Sequence, residues 1–140
     1  VANGAREALI VGVGSTPFGK REGEGIVSLA TAAARDALDD SGVPAERVQA
    51  IYLGNFIGER LAAQGSLAPV VAGRLGLTGV PATKVEGACA SGGLALRHAY
   101  LGVALGLYDV VLAGGVEKMS EIPTGAVTAA LSTAGDEALE

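Results

Sequence analysis

Short, nearly unbroken apolar runs alternate along this chain with longer stretches of helical period, and no other feature restricts the fold as tightly. A short strand fits residues 82–85, and the apolar runs cover residues 8–13, 50–54 and 109–113. Each is short, and continuous apolar character over so few residues marks a strand covered on both faces. Residues 14–20, rich in glycine and interrupted by Pro17, read as a loop. Apolar residues at 26, 29, 30, 33, 34, 37 and 38 then follow the i, i+3, i+4, i+7 spacing of an amphipathic helix. Ser41-Gly42-Val43-Pro44 ends it, because glycine suits a left-handed cap and proline cannot continue a helix. A second helix is expected over 67–75, with Pro69 near its start and Gly76 past its end. A third, over 91–107, is apolar on nearly every side, the pattern of a buried helix. Strand and helix in strict alternation imply an α/β domain with a mostly parallel sheet. Beyond Ser120 the pattern weakens to a short helix over 127–131 and solvated chain over 134–140.

With 140 residues the chain fits one domain. Aromatic residues make up only 4% against 49% hydrophobic, so the core is built from Ala, Val, Leu and Ile. The 22 glycines follow no fixed period, which excludes collagen and repeat arrays. The formal charge is −5 and no Lys/Arg-rich run exists, so the footprint for nucleic acid or an anionic membrane is missing. No apolar run approaches the roughly 18 residues of a spanning helix. Residues 1–7 lack the charged and apolar regions of a secretory signal. A single cysteine cannot form an internal disulfide, and a reducing, cytoplasmic setting is expected.

The chemistry concentrates in Val85-Glu86-Gly87-Ala88-Cys89-Ala90-Ser91-Gly92-Gly93, which places the only cysteine between a strand and the start of the apolar helix. Backbone N–H groups at a helix start are unpaired, and the macrodipole there favours negative charge. A thiolate at such a point is stabilised and titrates below the free value of about 8.5. The same N–H groups suit a developing oxyanion, and the flanking glycines allow close approach of a substrate. The alternative is an ordinary small buried cysteine, and spacing alone does not separate the two. Gly12-Val13-Gly14 lacks the third glycine of a dinucleotide fingerprint, since position 17 is proline. Asp39-Asp40 and the Glu22/Glu24 pair read as solvated surface, and Arg35, Arg74 and Arg97, on expected helices, as surface or interface residues. No cluster of Cys, His and carboxylates has metal-ligand spacing.

Taken together, three segments resemble the thiolase superfamily. Gly87-Ala88-Cys89-Ala90-Ser91-Gly92 is similar to its nucleophile region, and Ala113-Gly114-Gly115-Val116-Glu117-Lys118-Met119-Ser120 to its second signature. The opening Val11-Gly12-Val13-Gly14-Ser15-Thr16-Pro17-Phe18-Gly19-Lys20 resembles the sterol-carrier-like and archaeal branch. The likeness runs from Ala8 to about Ser120. It implies a fold of two similar halves, each an α/β/α unit with a five-stranded mixed sheet, of which this chain is the N-terminal half. Residues 1–120 are then the domain carrying the nucleophile, and 121–140 the truncated or poorly structured start of a loop region.

The resemblance further implies an acetyl-CoA C-acyltransferase. Cys89 is its acyl-accepting catalytic residue, coenzyme A thioesters are its substrates, and no cofactor is covalently bound. Glu117 and Met119 are expected in supporting, packing-type roles, and coenzyme A contacts are not assigned. The family's general base is a histidine, accompanied by a second cysteine in the C-terminal half, and neither has a counterpart here. His98 lies nine residues past Cys89, roughly 13 Å along a helix, and is expected to face away from the thiol, on the helix surface or at an interface. A further strand, which in the family follows the second signature, is also missing. The expected partners are acyl-CoA and either a second copy of the chain or a partner chain supplying the C-terminal half, with dimerisation expected and neither nucleic acid nor membrane. Two other readings stay open. One is a non-catalytic thiolase-like scaffold or acyl-CoA-binding subunit, and the other is a partner-dependent aldolase of the same superfamily.

Overall fold

Residues 4–136 are described by the computed structural model. The amphipathic helix expected from residue 26 is α1 (Ile26–Ser41), and Gly42 closes it at φ 63° with its N–H donating to Asp39 O. A 3-10 turn (Ala45–Arg47) leads to β1 (Ala50–Gly54), followed by α2 (Gly58–Ala62), α3 (Leu67–Arg74) and β2 (Ala82–Val85). A second 3-10 turn (Ala88–Ala90) runs directly into α4 (Ser91–Ala104), and β3 (Val111–Gly115) and α5 (Thr124–Ser132) complete the described chain.

The three strands form one parallel sheet in the order β2-β1-β3, with Ile51 of β1 opposite both Ala82 and Leu112. Side chains alternate across β1. Leu53 packs with Ile26 and Ala30 of α1 and with Leu67, Ala68 and Val71 of α3, while Ile51 joins Val48, Ala72 and Leu77 on the same face. Tyr52 and Gly54 face the other way, onto α4, where the Tyr52 ring meets His98 and Gly54 meets the Ser91 backbone. The result is an α/β/α sandwich with α1 and α3 on one face of the sheet and α4 on the other. The core is aliphatic, as the scarcity of aromatics requires. Leu67 and Ala68 are fully buried and Ile51 and Val71 nearly so, each large side chain contributing about 1.5–3 kcal/mol.

Residues 8–13 are not a strand, contrary to their apolar pattern. Leu9, Ile10, Val11 and Val13 are 71%, 74%, 60% and 68% exposed. The segment instead lies along α1. Val13 N–H donates to Asp40 Oδ2 at 2.8 Å, and a Cβ at Gly12 would come within 2.4 Å of Ala37 O and one at Gly14 within 2.2 Å of Ala33 O. The glycines of the discarded dinucleotide motif therefore serve close approach to a helix. The physical reason for the missing strand is the absence of a neighbour. A cleft of about 950 Å³ separates residues 8–19 from β3, whose outer edge has no partner among the described residues. Apolar character signals burial, but a strand also needs a hydrogen-bonding partner.

Three smaller differences follow the same logic. Helix α4 is apolar all round but buried on one side only, at Ser91, Ala95, Ala99 and Gly102, with Leu96 and Tyr100 exposed. β3 starts two residues later than its apolar run, because the N–H groups of Asp109 and Val110 donate to the Gln49 side chain rather than to the sheet. The helix expected over 127–131 spans Thr124–Ser132, within the stretch read as the start of a loop region. Residues 137–140 of the expected solvated tail lie outside the described residues.

Candidate active site

All three strands end on the same side, and the cysteine turn sits above those ends. Asn55 N–H, just past β1, donates to Val85 O at the end of β2, and Val116 N–H, just past β3, donates to Gly54 O. A Cβ at Gly54 would lie 2.5 Å from the Ser91 carbonyl atoms, and one at Gly115 would lie 3.3 Å from the Gly92 Cα. Glycine at these places lets the first turn of α4 rest on the strand ends. That contact fixes where Cys89, two residues earlier, emerges.

Cys89 is free and exposed in the 3-10 turn at the N-terminus of α4, so it is not the buried small residue that the sequence left open. Ala88 precedes it at φ +49°, in the left-handed region that non-glycine residues seldom occupy. Ser91, 4% exposed, spans the turn: its hydroxyl accepts from Gly87 N–H at 3.0 Å and donates to Ala88 O at 2.6 Å. Ala88 N–H donates to Glu86 Oε1 at 2.6 Å and Ala90 N–H to Gly87 O at 2.9 Å. The expected row of free N–H groups is therefore largely occupied. The turn's own bonds run from Ala90 to Gly87 and from Ser91 to Ala88, and neither uses the Cys89 amide. A thiol, its own N–H and the positive end of a helix dipole converge at one residue.

Glu117 is the centre of a polar network that the sequence did not reveal. Its carboxylate accepts from Asn55 Nδ2 at 2.8 Å, Phe56 N–H at 3.0 Å and Ile57 N–H at 3.2 Å. Asn55, 1% exposed, also donates to Val116 O and accepts from Gly58 N–H. Two segments, 55–58 and 116–117, are thereby tied beside the strand ends. The signal lay in Gly54-Asn55 directly after a strand, where a buried asparagine needs partners for every polar atom. Lys118 bonds Arg21 O and Glu121, whose side chain also accepts from Gly23 N–H. The hydrogen bond from Lys118 holds the Glu121 carboxyl below the usual 4.5, with the Gly23 N–H adding to it. Met119 is 43% exposed.

His98 does not approach the thiol. Its Nδ1 lies 2.7 Å from Leu94 O, and its ring is tilted against Tyr52 with centroids 5.6 Å apart. It is exposed on the helix surface, as expected, and its ring reaches Tyr52 of β1. Burial raises the Tyr52 phenol above its usual 10.0, and the neighbouring Tyr108 adds to the shift. Asp40 holds the residue 8–18 segment, Glu24 pairs with Arg21, and Arg35 donates to Arg74 O. Among the described residues no group of His, Cys and carboxylates is placed to hold a metal ion, and no helix is long and apolar enough to cross a membrane.

Residues 8–138 match the family described as thiolase, N-terminal domain. The chain is 38% identical over 135 residues to an acetyl-CoA acetyltransferase of Methanothermobacter thermautotrophicus, covering 96% of this chain and 35% of that protein. It is 40% identical, again over 135 residues, to an acetyl-CoA acetyltransferase of Methanocaldococcus jannaschii, covering 96% and 34%. Among solved structures, the acetyl-CoA acetyltransferase from Syntrophomonas wolfei superposes with a TM-score of 0.64 at 25% identity, over 73% of this chain and 26% of that one. The chain thus spans about a third of the length of the curated relatives it matches.

Proposed function

The chain belongs to the thiolase family as its N-terminal domain, and from that premise we propose that Cys89 is the acyl-accepting nucleophile of an acyl-CoA C-acyltransferase. The observation that carries the reading is the exposed thiol at the start of α4, with its own amide unused by the turn. In the first half-reaction the Cys89 sulfur adds to the thioester carbonyl of an acyl-CoA. Negative charge gathers on the carbonyl oxygen, and the Cys89 N–H and the α4 dipole are placed to stabilise it. The bond from carbonyl carbon to coenzyme A sulfur then breaks, coenzyme A leaves with a proton, and an S-acyl cysteine remains. In the second, a second acyl-CoA that has lost a proton from its α-carbon attacks the S-acyl carbonyl. A carbon–carbon bond forms, the Cys89 thiolate departs, and the product is a 3-ketoacyl-CoA. Thiolysis is the same sequence reversed.

The α-proton needs a base, and His98, engaged with Leu94 O and Tyr52, does not supply it. The reading therefore assigns the base to a C-terminal half that also covers α4 and places a further strand in the cleft beside β3. In this reading residues 1–120 are the nucleophile domain, 121–140 begin a loop region, and the assembled enzyme is an oligomer in the cytoplasm serving lipid metabolism.

Incubation with acetyl-CoA, followed by intact-mass measurement, tests the nucleophile. One acetyl group should be gained per chain, removed by added coenzyme A and absent in Cys89→Ala. Iodoacetamide should alkylate the folded chain faster than the urea-unfolded chain, and acetyl-CoA should slow it. A folded Cys89 that reacts no faster than the unfolded thiol and takes no acetyl group would return the chain to the scaffold reading.

A further inference from the structure

We infer that Glu86 is a positioning residue for the Cys89 nucleophile, its side-chain oxygen holding Ala88 in the left-handed conformation that turns the thiol outward. The inference rests on the reading of Cys89 as acyl acceptor. Ala88 carries a Cβ at φ +49°, a conformation that persists only where the surroundings enforce it. Both of its backbone polar groups are bound by side chains that flank the turn. The N–H donates to Glu86 Oε1 at 2.6 Å, and the C=O accepts from Ser91 Oγ at 2.6 Å. The two anchors differ in kind. Ser91 is buried in the first turn of α4 and ties the turn to the helix. Glu86 is exposed, one residue past the end of β2, and closes the turn from the strand side.

Without the Glu86 oxygen, Ala88 N–H has water in place of a fixed acceptor, and nothing on the strand side opposes relaxation toward negative φ. Such a rotation at residue 88 redirects the chain at Cys89 and turns its thiol and N–H away from the α4 axis. Position 86 needs an acceptor oxygen at the right reach, not a negative charge. A glutamine meets that need and an alanine does not.

Four proteins test this: the unaltered chain, Glu86→Gln, Glu86→Ala, and Glu86→Ala combined with Ala88→Gly. Cys89 alkylation by iodoacetamide is followed by intact mass, with thermal unfolding measured in parallel. Glu86→Gln should stay within about twofold of the unaltered chain, and Glu86→Ala should slow by about fivefold, the weight of one hydrogen bond. The added Ala88→Gly change should restore much of the lost rate, since glycine adopts positive φ without support. Equal rates for Glu86→Ala and the unaltered chain overturn the inference. So does a Glu86→Gln rate as low as that of Glu86→Ala, which would assign the effect to charge. Should Glu86→Ala not fold, hydrogen exchange of the Ala88 amide in the unaltered chain and in Glu86→Gln decides, and a freely exchanging amide overturns it. An unaltered chain with no rate advantage over its unfolded form refutes the acyl-acceptor reading itself, a result separate from any difference among variants.

Discussion

A single side-chain oxygen, Ser91 Oγ, organises the site at the scale of one residue, because it satisfies a donor and an acceptor of the same turn. Replacing it leaves Gly87 N–H and Ala88 O without that partner in a half-buried position. Ser91→Ala is therefore expected to destabilise the chain by about 1–3 kcal/mol, read as a lowered urea midpoint, and to slow Cys89 alkylation. The opposite sign is expected at Ala88. Ala88→Gly removes a Cβ from a left-handed backbone and should stabilise by up to about 1 kcal/mol in the same measurement. Tyr52 supplies the pH test. Burial, aided by Tyr108, raises its value above 10.0, so the folded state holds its proton where the unfolded state has begun to lose it. The stability from neutral Tyr52 is complete below about pH 10 and is lost as pH climbs through the higher folded value. In a tyrosinate absorbance titration a late component should be present and should vanish in Tyr52→Phe, and a titration whose late part survives that substitution would refute the burial argument.

Among the elements, the junction of β1 with α4 bears the most. Gly54 leaves no room for a side chain, since any Cβ meets Ser91 and Gly92 backbone at 2.5–2.6 Å. Backbone cannot yield as a flexible side chain does, so Gly54→Ala should cost about 1–3 kcal/mol and displace the α4 start. The check is denaturation together with Cys89 alkylation, and both should change. The Asn55–Glu117 network is the second support. Glu117→Ala strips an acceptor from three N–H groups and should increase hydrogen exchange at Phe56 and Ile57. Glu117→Gln retains one acceptor oxygen and should have a smaller effect. The helix boundaries were legible because caps are local: Gly42 and Pro44 stop α1 as expected, and Gly76 follows α3. The short α2 carries no apolar period, and its start is tied by Glu117, some sixty residues away, so sequence reasoning had no local signal for it.

For the whole molecule, the feature of greatest consequence is the open flank. Among the described residues β3 has a bare edge, residues 8–13 lie apart from it, and Leu96 and Tyr100 of α4 stand exposed beside the same cleft. Exposed strand edges and apolar surface of this kind drive association. The isolated chain should therefore self-associate as concentration rises, seen by sedimentation velocity, and Leu96→Lys should weaken that association without lowering the unfolding midpoint. The residue 8–18 segment is held to α1 by Asp40 and the close approach of Gly12 and Gly14. Asp40→Ala should release it to limited proteolysis while α1 stays protected.

By itself the sequence determined the order α1, β1, α3, β2, α4, β3, and with it three of the four expected strands, the helix caps and the position of Cys89 at a strand-to-helix turn. These follow from periodicity, glycine and proline stereochemistry and chain order, all readable within a few residues. Tertiary structure alone decided that residues 8–13 leave the sheet, that one side of α4 stays bare, and that Glu86, Ser91, Asn55 and Glu117 hold the turn and the strand ends. Those outcomes depend on which groups meet across space. A hydrogen-bond partner distant along the chain leaves no mark on local pattern, and an apolar run records that a surface needs covering without recording what covers it.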